Sequence, residues 1–232
     1  MYNECMELVH VLSRGVDKRE IFMNDQDYLR FIHDLFEFND RALVNNNFYK
    51  FLKNRNSVLA GQKIKDKRKT RKLLVNIHAF CLMPNHYHLL LSAKVENGVS
   101  KFMQKLNAGY VLYFNERYQR RGTLFEGRYK SVFIKTDAHF IHLPYYIHLN
   151  PLDLTNPEWR NREIKNYKEA VSFLNSYRWS SHMDYAGISN FPSVTQRDFL
   201  LKFFGGNNNY KNSVVKWIKE LDLEGLGELK LE

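Results

Sequence analysis

The chain has 232 residues, of which 44% are apolar, so it can form one domain with a sizeable core and an extension and is too apolar for a disordered protein. It holds no apolar run of the ~20 residues that a membrane helix needs, and its N-terminus lacks the basic start of a signal peptide. The two cysteines form neither a disulfide framework nor a metal pair, which favours a cytoplasmic protein.

The net charge of +10 is concentrated in two segments. Residues 41–72 hold eleven Lys and Arg against one acid, and residues 101–135 hold eight against two. Residues 1–40 are acidic, and the part from residue 152 onward is balanced. Two basic segments in an otherwise neutral or acidic chain are typical of a protein with a polyanionic partner such as nucleic acid. A solvated loop is the alternative explanation for the first segment, and charge alone does not decide between them.

The hydrophobic pattern predicts the order strand, helix, strand, strand, helix, strand, helix. Asn24 is the expected N-cap of the first helix, Asn97 or Ser100 caps the second, and the short turn at Pro84-Asn85 indicates an antiparallel hairpin. The predicted elements are Glu7–Ser13, 25–38, Leu73–Met83, His86–Ser92, Val99–Tyr118, one bent or two short strands in Gly122–Lys135, and Asp137–Asn150. This order predicts an α+β sandwich with a central antiparallel sheet and helices packed on it.

Two histidines share one face of the predicted strand after Pro84. Side chains alternate in a strand, so His86 and His88 point to one side of the sheet and Tyr87 to the other. Two imidazoles in this arrangement can bind one divalent metal ion, although such a pair in a strand is more often structural. A histidine-triad hydrolase is excluded, because it would need a third histidine where Leu90 stands.

A tyrosine and an asparagine share one face of the predicted helix that stops at Pro151. Tyr146 and Asn150 are four residues apart, whereas Tyr145 is rotated by ~100° from Tyr146. The asparagine carbonyl oxygen can serve as a third metal ligand, and the tyrosine can attack a phosphate that the metal polarises. On its own, Tyr146 is more simply explained as a core aromatic of an amphipathic helix, since the chain has fourteen tyrosines.

Five blocks of the sequence, in the right order, resemble the IS200-like transposase family. AFCLMPNHYHLLL (residues 79–91) resembles its histidine–hydrophobic–histidine motif, and HVLSRGVDKREIF (10–22) resembles its first strand and turn. GTLFEGRYKSVFI (122–134) and YIHLNPL (146–152) resemble its downstream motifs. YRWSSHMDYAG (177–187) resembles the tail of the branch called REP-associated tyrosine transposases. The joint occurrence of these blocks is far more specific than any one of them.

The resemblance implies a ferredoxin-like core, with the two histidines on a central strand, and an enzyme that acts on single-stranded DNA. His86 and His88 match the metal ligands of the family, Asn150 matches its third ligand, and Tyr146 matches its nucleophile. The implied cofactor is Mg²⁺ or Mn²⁺. The implied reaction is a transposase-type cutting and rejoining of one strand near a hairpin or palindrome, through a phosphotyrosine intermediate.

Basic and aromatic side chains, most of them in the second basic segment, are the candidates for contacts with DNA. Arginines and lysines would hold the phosphate backbone, and the two aromatic rings would stack on bases. The candidates are Arg14, Lys101, Lys105, Arg117, Arg120, Arg121, Phe125, Arg128, Tyr129 and Lys130.

Two features depart from the family pattern. Pro144 lies two residues before Tyr146, where it removes a backbone hydrogen bond, so we expect the helix to kink or restart there. Residues 41–72 exceed the usual connection of the family and are interpreted as a basic insertion without an assigned role. His139 and His142 lie on the stripe of Tyr146, at the surface or partly buried.

The sequence predicts a catalytic domain over residues 1–152 and a C-terminal extension, mainly helical, over residues 153–232. One alternative function is a hairpin-binding regulator that has lost catalysis. Another is a related rolling-circle nickase, although the usual partner domains of such enzymes do not fit within 232 residues. The two basic segments disfavour a metal-binding module unrelated to DNA. No membrane partner is expected, and the resemblance leaves both a homodimer and a monomer open.

Overall fold

The computed structural model describes residues 7–42 and 71–220. Most of the first basic segment, and therefore the predicted insertion, lies outside the described residues. The strands are β1 (Leu8–Arg14), β2 (Val75–Met83), β3 (His86–Ala93) and β4 (Lys130–Phe133). The helices are α1 (Asp25–Glu37), α2 (Gly98–Arg117), α3 (Asp137–Leu149), α4 (Tyr167–Ser176), α5 (His182–Tyr185), α6 (Asp198–Phe204) and α7 (Asn207–Glu220). Short 3₁₀ helices cover Val16–Lys18, Asn150–Leu154 and Pro157–Asn161.

The four strands form one antiparallel sheet in the order β2-β3-β1-β4. Because α1 connects β1 to β2 and α2 connects β3 to β4, the chain follows the βαββαβ path of a ferredoxin-like fold. The predicted α+β class, the ferredoxin-like core and the helical C-terminal extension are confirmed. None of the helices in residues 7–42 and 71–220 is long and apolar enough to cross a membrane.

The turn between β2 and β3 is held by the backbone that follows β1. The Gly15 amide donates to the Asn85 carbonyl oxygen at 2.8 Å, and the Ile21 amide donates to the Pro84 carbonyl oxygen at 2.8 Å. A Cβ atom at Gly15 would lie 2.3 Å from the Arg19 carbonyl oxygen, so this close approach requires glycine. The start of β3, and with it His86, is thereby fixed relative to β1.

Alternation along the strands gives the sheet two different apolar faces. One face, with Val11, Phe80 and Leu89, packs in one cluster with residues of α1 and α2. The other face, with Cys81 and Leu90, packs in a second cluster with residues of α3 and of the C-terminal helices. Burial of both faces explains why the strands read as nearly continuous apolar runs. The histidines of β3 lie on the α3 face.

The C-terminal extension covers the outer edge of β2. The Leu82 amide donates to the Trp179 carbonyl oxygen at 2.8 Å, and the Ser181 amide donates to the Phe80 carbonyl oxygen at 3.0 Å. These bonds satisfy backbone groups that an edge strand would otherwise expose. The cluster on the α3 face also contains residues from both sides of position 152, so the two parts share a core. The domain division at 152 stays a prediction.

Two local expectations about helix structure are met only in part. Asn97 is the N-cap of α2, but its backbone is left-handed (φ 56°) and its side chain makes no cap hydrogen bond, unlike Asn24, which accepts from the Gln26 amide. The helix with Pro144 does not restart: α3 is one element from Asp137 to Leu149. Pro144 is itself buried, and the packing of α3 on both sides offsets the lost hydrogen bond.

Candidate active site

His86 and His88 lie side by side on the α3 face of β3. Directly across the sheet, His86 pairs with Met83 and His88 with Cys81. The two imidazole centroids are 5.0 Å apart and the rings are nearly perpendicular. Because β3 is an inner strand and α3 packs over this face, both side chains are buried. The alternation of the strand therefore brings the two predicted ligands together.

Hydrogen bonds at Nδ1 orient both imidazoles. His86 Nδ1 lies 2.7 Å from Asn85 Oδ1, and the Asn85 amide is fixed because its Nδ2 donates to the Lys18 carbonyl oxygen at 3.2 Å. His86 Nδ1 is therefore the donor, and Nε2 keeps its lone pair. His88 Nδ1 lies 2.9 Å from His10 Nε2. Partners of this kind orient histidines that bind metals.

Burial keeps both imidazoles neutral at pH 7. It lowers the pKa of His86 to about 4, and the nearby charge of Arg14 acts in the same direction. It also lowers the pKa of His88 well below the usual range, with additional contributions from His86 and His10. A histidine must be neutral to bind a metal ion, so these shifts favour a ligand role.

The two imidazoles fit a divalent metal ion. Within the described part of the chain, His86 Nε2 is a buried nitrogen atom for which no hydrogen-bond partner is found. An oriented, neutral imidazole with such a nitrogen is a suitable ligand. No group of three or more His, Cys, Asp or Glu in residues 7–42 and 71–220 forms a metal-binding cluster.

Tyr146 packs against His88 and its partner His10. Its ring meets His88 edge-on at a centroid distance of 5.8 Å and His10 at 6.3 Å. Tyr145 lies on a different side of α3, where it stacks on Trp217 at 4.5 Å. Tyr146 is fully buried, and Trp159 lies near it. The structure therefore brings Tyr146, and not Tyr145, to the histidines, in a closed arrangement.

Asn150 is joined to Tyr146 but has a different neighbour from the one predicted. Its Nδ2 donates to the Tyr146 carbonyl oxygen at 2.8 Å, at the C-terminal end of α3. Its Oδ1, the predicted metal ligand, accepts a hydrogen bond from Arg160 Nη2 at 3.2 Å. A ligand role for Asn150 would require this bond to open, and it stays a prediction.

Several DNA-contact candidates lie at the end of β1 that is nearest His86. Arg14 pairs directly with His86, and the Glu126 amide donates to the Arg14 carbonyl oxygen at 2.9 Å. The loop between α2 and β4 is thereby attached beside the histidines. In this loop and in β4, the exposed candidates are Arg121, Arg128 and Lys130, and the partly buried ones are Arg120 and Tyr129.

Other candidates make contacts that limit a role in DNA binding. Phe125 is buried against Tyr87, with ring centroids 6.0 Å apart, so the expected stacking on a base is corrected to a core contact. Arg117 forms an ion pair with buried Asp27 at 3.6 Å, which makes it a structural residue. Lys105 donates to the Ala42 carbonyl oxygen at 2.7 Å. Exposed Lys101 donates to the Glu96 carbonyl oxygen.

A second group of buried histidines joins α3 to the C-terminal extension. The Tyr210 hydroxyl lies 2.8 Å from His148 Nδ1 and 2.9 Å from His182 Nδ1. His148 Nε2 also lies 2.8 Å from the Ser181 hydroxyl. Burial lowers the pKa of His182 to about 4 and that of His148 well below its usual range. This network fixes the side of α3 that faces away from the sheet.

These histidines make the stability of the fold dependent on pH. Their pKa values are lower in the folded chain than the usual unfolded value of about 6.5, so the unfolded chain binds more protons below that pH. The stabilisation is complete above pH 6.5 and is lost as the pH falls toward 4. At pH 5 we expect the free energy of unfolding to drop by about 1–2 kcal/mol for His182 alone.

Urea unfolding at pH 7 and pH 5 measures this effect. His182→Gln should be less stable at pH 7 but should show a smaller difference between the two pH values. The matched control is His33→Gln, because His33 is partly exposed on α1. Equal unfolding free energies for the unaltered chain at both pH values would show that the buried histidines are not neutral.

Comparison with known families gives a match that covers the candidate site. Residues 42–150 match the family described as "Transposase IS200 like", and this range includes His86, His88, Tyr146 and Asn150. The resemblance inferred from the sequence is confirmed. No curated protein matches the chain. A solved structure described as "Structure of the REP associates tyrosine transposase bound to a REP hairpin" is similar over 82% of this chain and 88% of that chain, with 13% identity and a TM-score of 0.46.

Proposed function

We propose that this chain cuts and rejoins single-stranded DNA with Tyr146 as the nucleophile, supported by the match of residues 42–150 to the IS200-like transposase family. The observation that carries this proposal is the packing of the Tyr146 ring against His88, with His86 beside it on the same face of β3. A phenol next to two oriented, neutral imidazoles is the arrangement that such a reaction needs.

His86 and His88 are the residues that would hold the cofactor, Mg²⁺ or Mn²⁺. When bound, the metal ion supplies charge that polarises the scissile phosphate and stabilises its transition state. Asn85 and His10 keep the two imidazoles oriented through their Nδ1 atoms. We propose Asn150 as a third ligand, which depends on release of its oxygen from Arg160.

The proposed reaction exchanges one phosphate ester bond for another. The Tyr146 oxygen loses its proton and forms a bond to phosphorus, while the bond from phosphorus to the 3′-oxygen breaks. The 3′-oxygen takes up a proton and leaves as a free hydroxyl, and the 5′-phosphate stays on the tyrosine. Attack by a 3′-hydroxyl reverses the step without ATP, because the ester bond has been conserved.

Access to the nucleophile requires a local movement. Tyr146 is fully buried, and the 3₁₀ helix Pro157–Asn161 places Trp159 and Arg160 against its ring. We therefore expect this short helix to shift enough to admit a DNA strand before the reaction, with Arg160 staying beside the Tyr146 ring. The proposed partner is a single strand beside a hairpin or palindrome, with its backbone held by the exposed basic side chains near β4.

A labelled single strand from the DNA that flanks the gene tests the proposal. Incubation with the protein and Mn²⁺ should give a shortened strand and a complex that survives denaturation. The gene's own flanking palindromes are the substrates to use, because the sequence does not identify the recognised DNA. Absence of any cut product with every such strand would contradict the proposed activity.

A second candidate function is a regulator that binds DNA hairpins without cutting them. Two observations favour it: Tyr146 is closed off from solvent, and the Asn150 oxygen is bound to Arg160. The same incubation separates the two functions. A regulator would bind the flanking hairpin tightly and leave the strand intact in Mn²⁺.

We predict that the first basic segment adds DNA affinity that is independent of sequence. Replacing Lys63, Lys65, Lys67, Arg68 and Lys69 by Gln should reduce the dependence of affinity on salt, because each phosphate contact contributes about 0.7 to the log–log slope for single strands. Filter binding over a range of salt concentrations measures the slope.

The control for this prediction removes the same number of charges elsewhere. Five exposed lysines of the C-terminal helices serve for this: Lys168, Lys202, Lys211, Lys216 and Lys219. Their replacement by Gln should leave the slope nearly as it is in the unaltered chain. An unchanged slope in the first variant would show that its residues form only a solvated loop.

A further inference from the structure

Arg160 contacts both members of the tyrosine–asparagine pair. Its guanidinium carbon lies 5.8 Å from the centroid of the Tyr146 ring, and its Nη2 donates to Asn150 Oδ1 at 3.2 Å. Arg160 belongs to the 3₁₀ helix Pro157–Asn161, beyond the range that matches the family. The structure thus brings a permanent positive charge to the nucleophile from a segment to which the family match assigns nothing.

Asp153 holds this guanidinium in place. Arg160 Nε donates to Asp153 Oδ1 at 2.9 Å, and Nη2 donates to Oδ2 at 2.6 Å. Trp159 Nε1 donates to the same carboxylate at 2.6 Å. A paired arginine loses little freedom when it binds a further group, because its planar fork is already oriented. Asp153 is therefore a positioning residue for Arg160.

The exposure of these side chains places Arg160 between the nucleophile and solvent. Tyr146 and Asn150 are fully buried, whereas about 25% of the Arg160 side chain is exposed. An anion that enters from solvent therefore meets the Arg160 guanidinium next to Tyr146.

Building on the proposed strand-cutting function, we propose that Arg160 binds the scissile phosphate beside Tyr146. The Nη2 hydrogen bond would pass from Asn150 Oδ1 to a non-bridging phosphate oxygen, which also frees the asparagine oxygen. A fixed donor at such an oxygen stabilises the charge that develops in the transition state, an effect of about 10²–10³-fold in rate. Arg160 would then be a catalytic residue.

Three variants separate a role of the charge from a structural role. Arg160→Lys keeps the charge and loses the fork, Arg160→Gln keeps hydrogen-bond donors for Asp153 and Asn150 but loses the charge, and Arg160→Ala loses both. Arg178→Ala is the matched control, because Arg178 is exposed and contacts Trp179 and Phe191. Thermal unfolding identifies any variant that does not fold, and Arg160→Gln then replaces Arg160→Ala.

Two readouts are needed, one of them independent of cutting. In single-strand binding, Arg160→Ala and Arg160→Gln should lower the salt slope by about 0.7, while Arg160→Lys should keep it. In single-turnover cutting with Mn²⁺, Arg160→Gln should lose about 10²-fold or more, and Arg160→Lys should lose less. Arg178→Ala should leave the cutting rate unchanged.

The outcomes distinguish this inference from the proposed function. If the unaltered chain binds a strand without cutting it, the proposed function fails. The salt slope of binding then still shows whether Arg160 contacts a phosphate. If it cuts, but Arg160→Gln changes neither slope nor rate, the inference alone is overturned. Equal losses for Arg160→Lys and Arg160→Gln would also overturn it, because they would indicate a structural role. A chain that binds no single strand would overturn both.

Discussion

Replacing either histidine of β3 by alanine should abolish cutting of single-stranded DNA while most of the DNA affinity remains. We expect His86→Ala and His88→Ala each to reduce the cutting rate in Mn²⁺ by about 10³-fold or more. The reason is that the two imidazoles lie together on one face of β3 and His88 contacts Tyr146, whereas the exposed basic side chains that would hold the strand belong to other elements. In the proposed reaction, the metal ion would act on the reacting phosphate and would not contribute to binding of the strand.

The histidine on α1 provides a matched control. His33 is partly exposed on a helix that packs against the opposite face of the sheet, so His33→Ala should cut normally. Calorimetric titration with Mn²⁺ should show one binding event in the unaltered chain and in His33→Ala, and none in His86→Ala. Full cutting activity in an excess of chelator would show that cutting does not need a divalent metal ion.

The sequence was sufficient for the order of elements because each signal was local. Pro84-Asn85 ends one apolar run and begins another, and this pattern requires a hairpin whichever elements surround it. Asn24 before an amphipathic stretch predicts the start of α1, and its cap hydrogen bond is present. The ferredoxin-like arrangement came from the family resemblance, since strand order depends on contacts between distant residues.

The orienting partners in the site were not predictable from the sequence. His10 reaches His88 because β1 pairs with β3 in the register that places His10 opposite Leu90, and register is not readable from β1 alone. Arg160 is brought to Tyr146 by the two short 3₁₀ helices that follow α3, and neither has a periodic hydrophobic pattern in the sequence. A charged residue in a balanced tail gives no local indication of such a contact.

Burial explains two departures from expectation near the site. Phe125 lies in a basic segment of the sequence, yet its ring packs in the core, because the Gly15–Phe125 bridge holds this loop against the end of β1. Pro144 was expected to kink or restart its helix, and tertiary packing on both sides keeps α3 one element without a restart. In both cases a long-range contact outweighs the local preference.

Replacing Tyr146 by phenylalanine should eliminate the covalent complex with DNA and leave the fold intact. Phenylalanine keeps the ring that packs on His88 and Trp159 and removes only the attacking oxygen. Tyr145→Phe is the matched control in the same helix, because Tyr145 stacks on Trp217 and not on the histidines. We expect it to retain most of the complex, with thermal unfolding midpoints of both variants close to that of the unaltered chain.

Label followed from each side of the cut into the covalent complex decides whether Tyr146 is the nucleophile. The protein is incubated with Mn²⁺ and a single strand labelled on one side of the cut or the other, and then denatured. Label from the 3′ side should stay with the unaltered chain and with Tyr145→Phe, and it should be absent from Tyr146→Phe. Label from the 5′ side should separate from the protein in every case. A covalent complex that survives in Tyr146→Phe, or one that carries the 5′-side fragment, would contradict the assignment of Tyr146 as the nucleophile.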